Sequence, residues 1–349
     1  MAAQPIRVSI VIPAYNAAAT LAHTLDSALQ QTEQSLEVLV VDDASTDTTA
    51  GIVAQAASRD ERVRLLRQTV NRGPAAARNR GLEHARGTWI ALLDADDTFA
   101  PARLEALTAA GDQHAADVVA DNLLLCPEQG GEAGTPMITR DMLPQAKFLS
   151  TAEFVVGNIG SRRTPRVSYG FLQPLIRRDF LQRHGIRYDE QNRFGEDFLF
   201  ALTCLLQGAR WWLMPEAMYH YTVRPGSLTD VQSAADLLRI RTVEEDLLRR
   251  HPAVASDPEL ALALRRHRAK IEHFYFYRAF TDAVKAGTAA PAMNLVLKSP
   301  RSLWHIVTEG AMQAPRICIK ALRGGYHRPG PSALSLAGAG MRGRSRTEA

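Results

Sequence analysis

An apolar, strand-like run over residues 89–93 ends in three closely spaced carboxylates, Asp94, Asp96 and Asp97 of the segment LLDADD. Carboxylates crowded at a strand end repel one another unless a cation sits among them. Divalent Mg2+ or Mn2+ is the natural partner, because hard cations take oxygen ligands and Mg2+ is commonly held by one or two carboxylates together with substrate phosphates. The first expectation is therefore a nucleotide-diphosphate substrate. The plainer alternative is a solvated acidic turn ahead of a helix beginning near Pro101. Two further acid pairs have comparable placements. Asp42 and Asp43 close the apolar run 36–41, and Glu196 and Asp197 follow Phe194 and Gly195 at the start of a helix predicted over 198–207. A helix N-terminus favours the anionic form that a general base requires, although two capping acids account for the same position.

Positioning these acids falls to alternating strands and helices. Residues 8–12 are a short β-rich run ended by PAYN, and apolar residues at helical spacing follow over 17–30. Strands are predicted at 36–41, 63–66 and 88–93. Between them lie a helix carrying Ile52 and Val53, capped from within residues 45–47, and another over 74–85. This alternation predicts an α/β fold with a mainly parallel sheet flanked by helices, whose ligands bind beyond the carboxyl ends of the strands. PAYN, DDAS and DADD all fall there. Further on, a helix over 102–110, a strand at 118–119 and a surface loop over 127–145 are expected. A strand or turn at 172–176 leads to a helix at 177–184, and strands follow at 209–213 and 217–223. From 234 to about 286 the pattern is helical, with Phe274, Tyr275, Phe276 and Tyr277 as packing material; from Gly324 onward the composition predicts disorder.

Composition excludes several classes. Of 41 basic and 37 acidic side chains, seven basic and one acidic lie in residues 316–349, which leaves the body of the chain slightly acidic. The positive balance thus belongs to a tail and gives no nucleic-acid-binding face to the main domain. Cys126, Cys204 and Cys318 are odd in number and form no CxxC pair, so a disulfide framework and a zinc site are both unsupported and a reducing cytoplasm fits. No uncharged run approaches the length of a membrane span, so any membrane contact is expected to be peripheral. The first strand ends without GxGxxG, which removes the dinucleotide fingerprint of an NAD or FAD enzyme.

IPAYN, VVDDASTD, GPAAARNRGL and LLDADD, in this order over residues 8–104 and followed by FGED at 194–197, resemble the family 2 glycosyltransferases with the GT-A fold. The resemblance covers about the first 230 residues. It implies a donor half over 1–100 and an acceptor half over 101–230, followed by a helical region over 231–323 and a disordered basic tail over 324–349. It further implies an inverting sugar transfer from a nucleotide-diphosphate donor, UDP-linked, to a saccharide or lipid-linked saccharide, in exopolysaccharide or other cell-surface glycan assembly.

On that resemblance Asp43 accepts a hydrogen bond from the imide N–H of the base, with Pro13, Ala14 and Tyr15 as the wall beside it. Arg78 is an electrostatic neighbour of the nucleotide, one turn into the helix that Gly73 and Pro74 open, or else a structural arginine paired with an aspartate. Asp96 becomes the ligand of Mg2+ or Mn2+, Asp94 faces the ribose or the water shell of the metal, Ala95 offers backbone to the sugar, and Asp97 caps the segment after it. Asp197 is the candidate general base and Glu196 its helper. His220, between two tyrosines in YHYTVRPGSLT, is a further candidate metal or phosphate ligand, with strand packing as the alternative. Arg177 and Arg178 lie on the expected acceptor side. The apolar and basic residues from Leu303 to Arg323 suggest amphipathic helices that lie on an anionic lipid surface or pack against the domain. Two rival classes remain. A sugar nucleotidyltransferase calls for a Gly-rich basic loop after the first strand, where PAYN stands; a non-catalytic binding or scaffold protein has no need of intact DADD and FGED.

Overall fold

The computed structural model describes residues 5–128, 134–159, 167–192, 194–224 and 233–287. Strands β1 (Val8–Ala14) and β2 (Leu36–Asp42) are buried along nearly their whole length, which accounts for their continuous apolar sequence. A strand covered by helices on both faces has no polar side to show. Helices α1 (Leu21–Leu29), α2 (Thr49–Arg59) and α3 (Pro74–His84) connect β1, β2, β3 (Val63–Arg67) and β4 (Trp89–Leu92), and the pairs β3-β2, β2-β1 and β1-β4 are all parallel. Pro74 can start α3 because the first helical N–H has no partner in the helix.

A buried acid of this half is paired. Glu37 in β2 is 2% exposed and accepts from Ser9 Oγ at 2.7 Å and from Arg86 Nη2 at 2.7 Å. Burial alone would raise its pKa, but the bonds from Arg86 and Ser9 prevail and hold it below the usual carboxylate range.

Beyond β4 the chain adds β5 (Thr98–Phe99), α4 (Arg103–Gln113), β6 (Val118–Pro127), β7 (Thr135–Pro136), β8 (Lys147–Phe148) and α5 (Thr151–Ile159). Then come β9 (Leu175–Arg177), α6 (Arg178–His184), α7 (Glu196–Leu206) and β10 (Trp211–Val223). Among the described residues the strands form one sheet in the order β3-β2-β1-β4-β9-β6-β10-β5, with β7 on β6 and β8 on β10. This half is mixed: β9 runs antiparallel to both β4 and β6, whereas β6 and β10 are parallel. Arg103, fully buried, ties it together. Its Nη2 donates to Asp121 Oδ1 at 2.7 Å and to the Gln173 carbonyl at 2.5 Å, and its guanidinium lies 4.4 Å from the Phe99 ring centroid.

Three sequence expectations change. The strands expected at 209–213 and 217–223 are one strand, β10, whose register with β6 shifts between Leu213 and Ala217 and again before Tyr219. Pro215, without an N–H, sits in that irregular stretch. Of the loop expected over 127–145, the described part from 134 onward is docked rather than superficial: Ile138 and Leu143 are buried, and Asn122 pairs with both backbone groups of Ile138 at 2.7 and 3.0 Å. The helical stretch from 234 splits into α8 (Ala234–Arg250) and α9 (Pro258–Lys285), separated by a 3-10 turn at Pro252–Ser256. The basic helices expected over 303–323 and the tail over 324–349 lie outside the described residues. No helix of the described residues is long and apolar enough to cross a membrane.

Candidate active site

The parallel pairing of β1, β2 and β4 places their carboxyl ends side by side, and side chains lace the three following loops together. The Asp43 N–H donates to the Ala14 carbonyl at 2.8 Å, the Asn16 N–H to Ser45 Oγ at 3.0 Å, and Thr46 N–H to Asn16 Oδ1 at 2.9 Å. Asn16 and Ala44 both adopt positive φ, 50° and 60°. Left-handed backbone at a non-glycine residue is uncommon and concentrates at ligand-binding turns. Ala14 is buried, Pro13 half-buried, and Tyr15 is 51% exposed, an aromatic ring standing free beside the edge where the sheet ends.

Asp43 is 3% exposed and holds the loop before α3: its Oδ1 accepts from Gln68 Nε2 and the Arg72 N–H, and its Oδ2 from the Gly73 N–H, each at 2.8 Å. A carboxylate offers about four acceptor positions, so these donors leave one for a base. Asp47, within the segment expected to cap α2, accepts from the Thr49 N–H at 2.9 Å at the first turn of that helix.

The DADD turn is braced from two sides. From the start of α1, the Thr20 and Thr24 hydroxyls donate to the Ala95 carbonyl at 2.8 and 3.1 Å, so this carbonyl is already engaged. From β10, the Tyr219 hydroxyl accepts from the Asp94 N–H at 3.2 Å and donates to Asp97 Oδ2 at 2.8 Å, and the Thr222 hydroxyl donates to the Asp96 carbonyl at 2.7 Å. Asp97 does not cap a helix. It is 1% exposed, accepts from the Thr222 N–H at 2.8 Å and clamps β10 onto the turn. Burial and the neighbouring Asp94 push its pKa up to about 8.

Asp96 points the other way. Its side chain is 41% exposed, 3.6 Å from Arg224, and burial together with Asp94 raises its pKa. A carboxylate whose charge is disfavoured by its surroundings, open to solvent and flanked by other acids, is a donor suited to a divalent cation. Among the described residues no three His, Cys, Asp or Glu side chains form a ready metal cage. The exposed carboxylate oxygens of Asp96 are of the kind that suits Mg2+ or Mn2+, which would take its remaining ligands from phosphate and water. His220 is set apart from these oxygens, with Asp121 and Arg103 as its charged neighbours. Burial lowers its pKa, as for a packed histidine.

Arg78 joins this turn to the second acid pair. Its side chain is 5% exposed; Nη2 donates to Asp94 Oδ1 at 3.0 Å, while Nη1 donates to Glu196 Oε1 at 3.0 Å and lies 3.2 Å from Asp197 Oδ1. Burial works against the charge, yet Asp197, Asp94 and Glu196 outweigh it and hold the pKa well above the usual arginine value. Glu196 and Asp197 form the first turn of α7, two residues earlier than the helix predicted from 198, because Gly195 turns the chain at φ 71° into the helix. Asp197 keeps 26% of its side chain open to water, but the surrounding protein displaces bulk solvent. This desolvation, with Glu196 and Asp94 nearby, raises its pKa to about 7 despite Arg78.

Tyr188 completes the group and was not legible in the sequence. Its ring lies 5.4 Å from the Arg78 guanidinium and stacks on Phe200, with centroids 4.1 Å apart, and its hydroxyl meets Asp197. Asn79 holds it there, exchanging both backbone hydrogen bonds of Tyr188 at 2.9 Å. Arg177 and Arg178 instead serve the scaffold: Arg177 binds Asp112 and the Ala116 carbonyl, and Arg178 the Gly87 carbonyl.

A profile of the family described as "Glycosyl transferase family 2" matches residues 9–170. The succinoglycan biosynthesis protein ExoU of Rhizobium meliloti is 36% identical over 306 residues, covering 88% of this chain and 87% of its own. The crystal structure of S. aureus TarS 1-349 in complex with UDP-GlcNAc shares the fold, with a TM-score of 0.57 and 20% identity over 83% of this chain and 90% of that 1-349 chain. The mannosyltransferase PcManGT from Pyrobaculum calidifontis, in complex with GDP-Man and Mn2+, superposes with a TM-score of 0.51 and 22% identity over 90% of this chain and 87% of its own. With the DADD turn and the acids of α7 gathered on one arginine at the carboxyl edge of this sheet, the chain belongs to the family 2 glycosyltransferases.

Proposed function

We propose that this glycosyltransferase inverts configuration at a sugar carried by a nucleoside diphosphate, with UDP as the carrier and a saccharide or lipid-linked saccharide as the acceptor. One observation carries the reading. A single buried arginine, Arg78, contacts Asp94 of the donor turn and Glu196 and Asp197 of α7 within 3.0–3.2 Å, although a hundred residues separate those acids in sequence. Donor-holding and proton-accepting groups thus share one site.

In this reading Tyr15, Pro13 and Ala14 line the base and the remaining acceptor position of Asp43 takes its imide N–H. Asp96 holds the divalent cation, with Asp94 beside it. When bound, that cation stabilises the charge developing on the diphosphate leaving group. Asp197 takes the proton of the acceptor hydroxyl as its oxygen bonds to the anomeric carbon. The bond from that carbon to the diphosphate oxygen breaks, and its electron pair departs with UDP. An acid with a pKa of about 7 is suited to the task, being substantially ionised at neutral pH while remaining basic enough to accept a proton. Arg78 holds Asp197 and Asp94 in fixed relation through the transfer.

Residues 1–230 form the catalytic unit in this reading. The role of ExoU in succinoglycan biosynthesis supports cell-surface glycan assembly as the setting, with the enzyme at the inner face of the membrane. The experiment is UDP release from a panel of UDP-sugars, with and without Mn2+ or Mg2+ and with a lipid-linked acceptor extract, for the wild type, Asp96→Ala and Asp197→Asn. Metal-dependent release lost in both variants is expected. Release unaffected by either substitution overturns the assignment, and a biological role surviving Asp197→Asn favours a binding protein.

A further inference from the structure

Helices α8 and α9 carry no donor-site motif, yet they close on the first turn of α7. Gly195 sits directly beneath Ile240 of α8: a Cβ on this glycine would stand 2.9 Å from Ile240 Cδ1. One residue along α8, Arg239 Nη2 donates to Asp189 Oδ2 at 3.1 Å, next to Tyr188. From α9, the His267 ring stacks on Phe198 with centroids 4.6 Å apart and planes 23° from parallel, and Phe198 follows Asp197 in the chain. Phe154 of α5 stacks on the same Phe198 ring at 5.4 Å, so this ring is clamped from two directions.

His267 is 6% exposed and Glu244 1%, and Nδ1 of the histidine lies 2.9 Å from Glu244 Oε2. A buried ionisable pair contributes less to stability than apolar residues of equal volume, because both groups lose their hydration. What it supplies is direction: the bond to Glu244 fixes the plane of the imidazole, and the imidazole fixes Phe198. An apolar side chain at 267 would fill the space without defining that plane.

We infer that Glu244 and His267 are positioning residues for sugar transfer, holding Phe198 and through it the first turn of α7 in the orientation that aims Asp197 at the acceptor hydroxyl. The inference rests on the reading of Asp197 as the base. It makes the C-terminal helices part of the reaction apparatus rather than a covering.

The test compares the full-length wild type, His267→Ala, His267→Phe and Asp197→Asn. Small misplacements of a reacting group cost up to about a hundredfold in rate, so His267→Ala is expected to lower kcat by about tenfold or more while the donor KM and the calorimetric affinity for UDP change by less than about twofold. His267→Phe, which keeps an aromatic face on Phe198 but loses the bond to Glu244 that sets its plane, is expected to recover kcat only in part. Amide exchange over residues 195–200, which needs no acceptor, should accelerate in His267→Ala and be intermediate in His267→Phe. Unchanged kcat or unchanged exchange in His267→Ala overturns the role, as does a parallel loss of UDP affinity. Should His267→Ala not fold, Glu244→Gln is read the same way, with lower kcat and unchanged UDP affinity expected and unchanged kcat overturning. Full activity in Asp197→Asn would remove the base assignment itself, whereas an inactive Asp197→Asn beside an unimpaired His267→Ala removes only the positioning role.

Discussion

Arg78 and Asp197 stand 3.2 Å apart at the bottom of the site, and the same guanidinium reaches Asp94 at 3.0 Å, so one cation fixes the distance between the end of β4 and the start of α7. Removing it strands three acids in partly desolvated positions. Breaking a buried ion pair by deleting one partner typically costs about 3–5 kcal/mol. Arg78→Met, which keeps the apolar stem, is expected to lose stability of that order at pH 7.5 and to lose less at pH 5, where more of the acids are protonated. Urea unfolding at the two pH values checks this, and equal stability to the wild type at pH 7.5 contradicts it.

Asp197 makes a prediction with a definite sign. Its carboxyl titrates near 3.8 in an unfolded chain and near about 7 in the fold, so the folded protein binds the extra proton between those values. Its contribution therefore lowers stability as pH rises from about 4 to about 7 and is constant above that. Relative to the wild type, Asp197→Asn should gain stability across that window and show no further change beyond it. The wild-type kcat/KM should rise with pH about a midpoint near 7, the ionisation of the free base. A stability difference between the two proteins that is flat with pH contradicts the assignment of this proton to Asp197.

Asp96 and the cation are separable from turnover by a binding measurement. A ligand present at about 100 times its Kd stabilises a protein by about 2.7 kcal/mol. Mn2+ added together with UDP should raise Tm above the value with UDP alone in the wild type, and Asp96→Asn should lose the increment due to Mn2+ while keeping the increment due to UDP. An equal Mn2+ increment in both proteins places the cation elsewhere.

Much of this arrangement is legible in the chain because the determinants are local. β1 and β2 announce themselves because strands buried on both faces tolerate little polarity, and DADD and FGED stand out as acids where apolar periodicity stops. Tyr188 does not, since it reaches Arg78 from a segment without periodicity that is fixed by Asn79, 109 residues earlier. That Tyr219 reaches Asp94 and Asp97 while His220 has Asp121 and Arg103 as neighbours depends on how β10 sits on β6, and the register of that pair shifts after Leu213 and Ala217. Long-range pairing sets the register; the local sequence does not record it.

Tyr219 consequently carries the last prediction. Its hydroxyl takes the Asp94 N–H at 3.2 Å and gives its own proton to Asp97 at 2.8 Å, while its ring packs edge-on to Phe99 with centroids 5.6 Å apart. Tyr219→Phe keeps the ring and deletes both bonds, which takes from the Asp94 N–H its acceptor and leaves Asp97 held by the Thr222 N–H. Leaving buried polar groups unsatisfied costs about 1–3 kcal/mol. The variant should lose stability of that order and bind Mn2+ more weakly in the presence of UDP, because the turn that carries Asp96 is no longer held against β10. Chemical unfolding and a Mn2+ titration test the two halves separately: a loss of stability with unchanged Mn2+ affinity would make Tyr219 a scaffold residue, and a loss in both ties the brace to the metal.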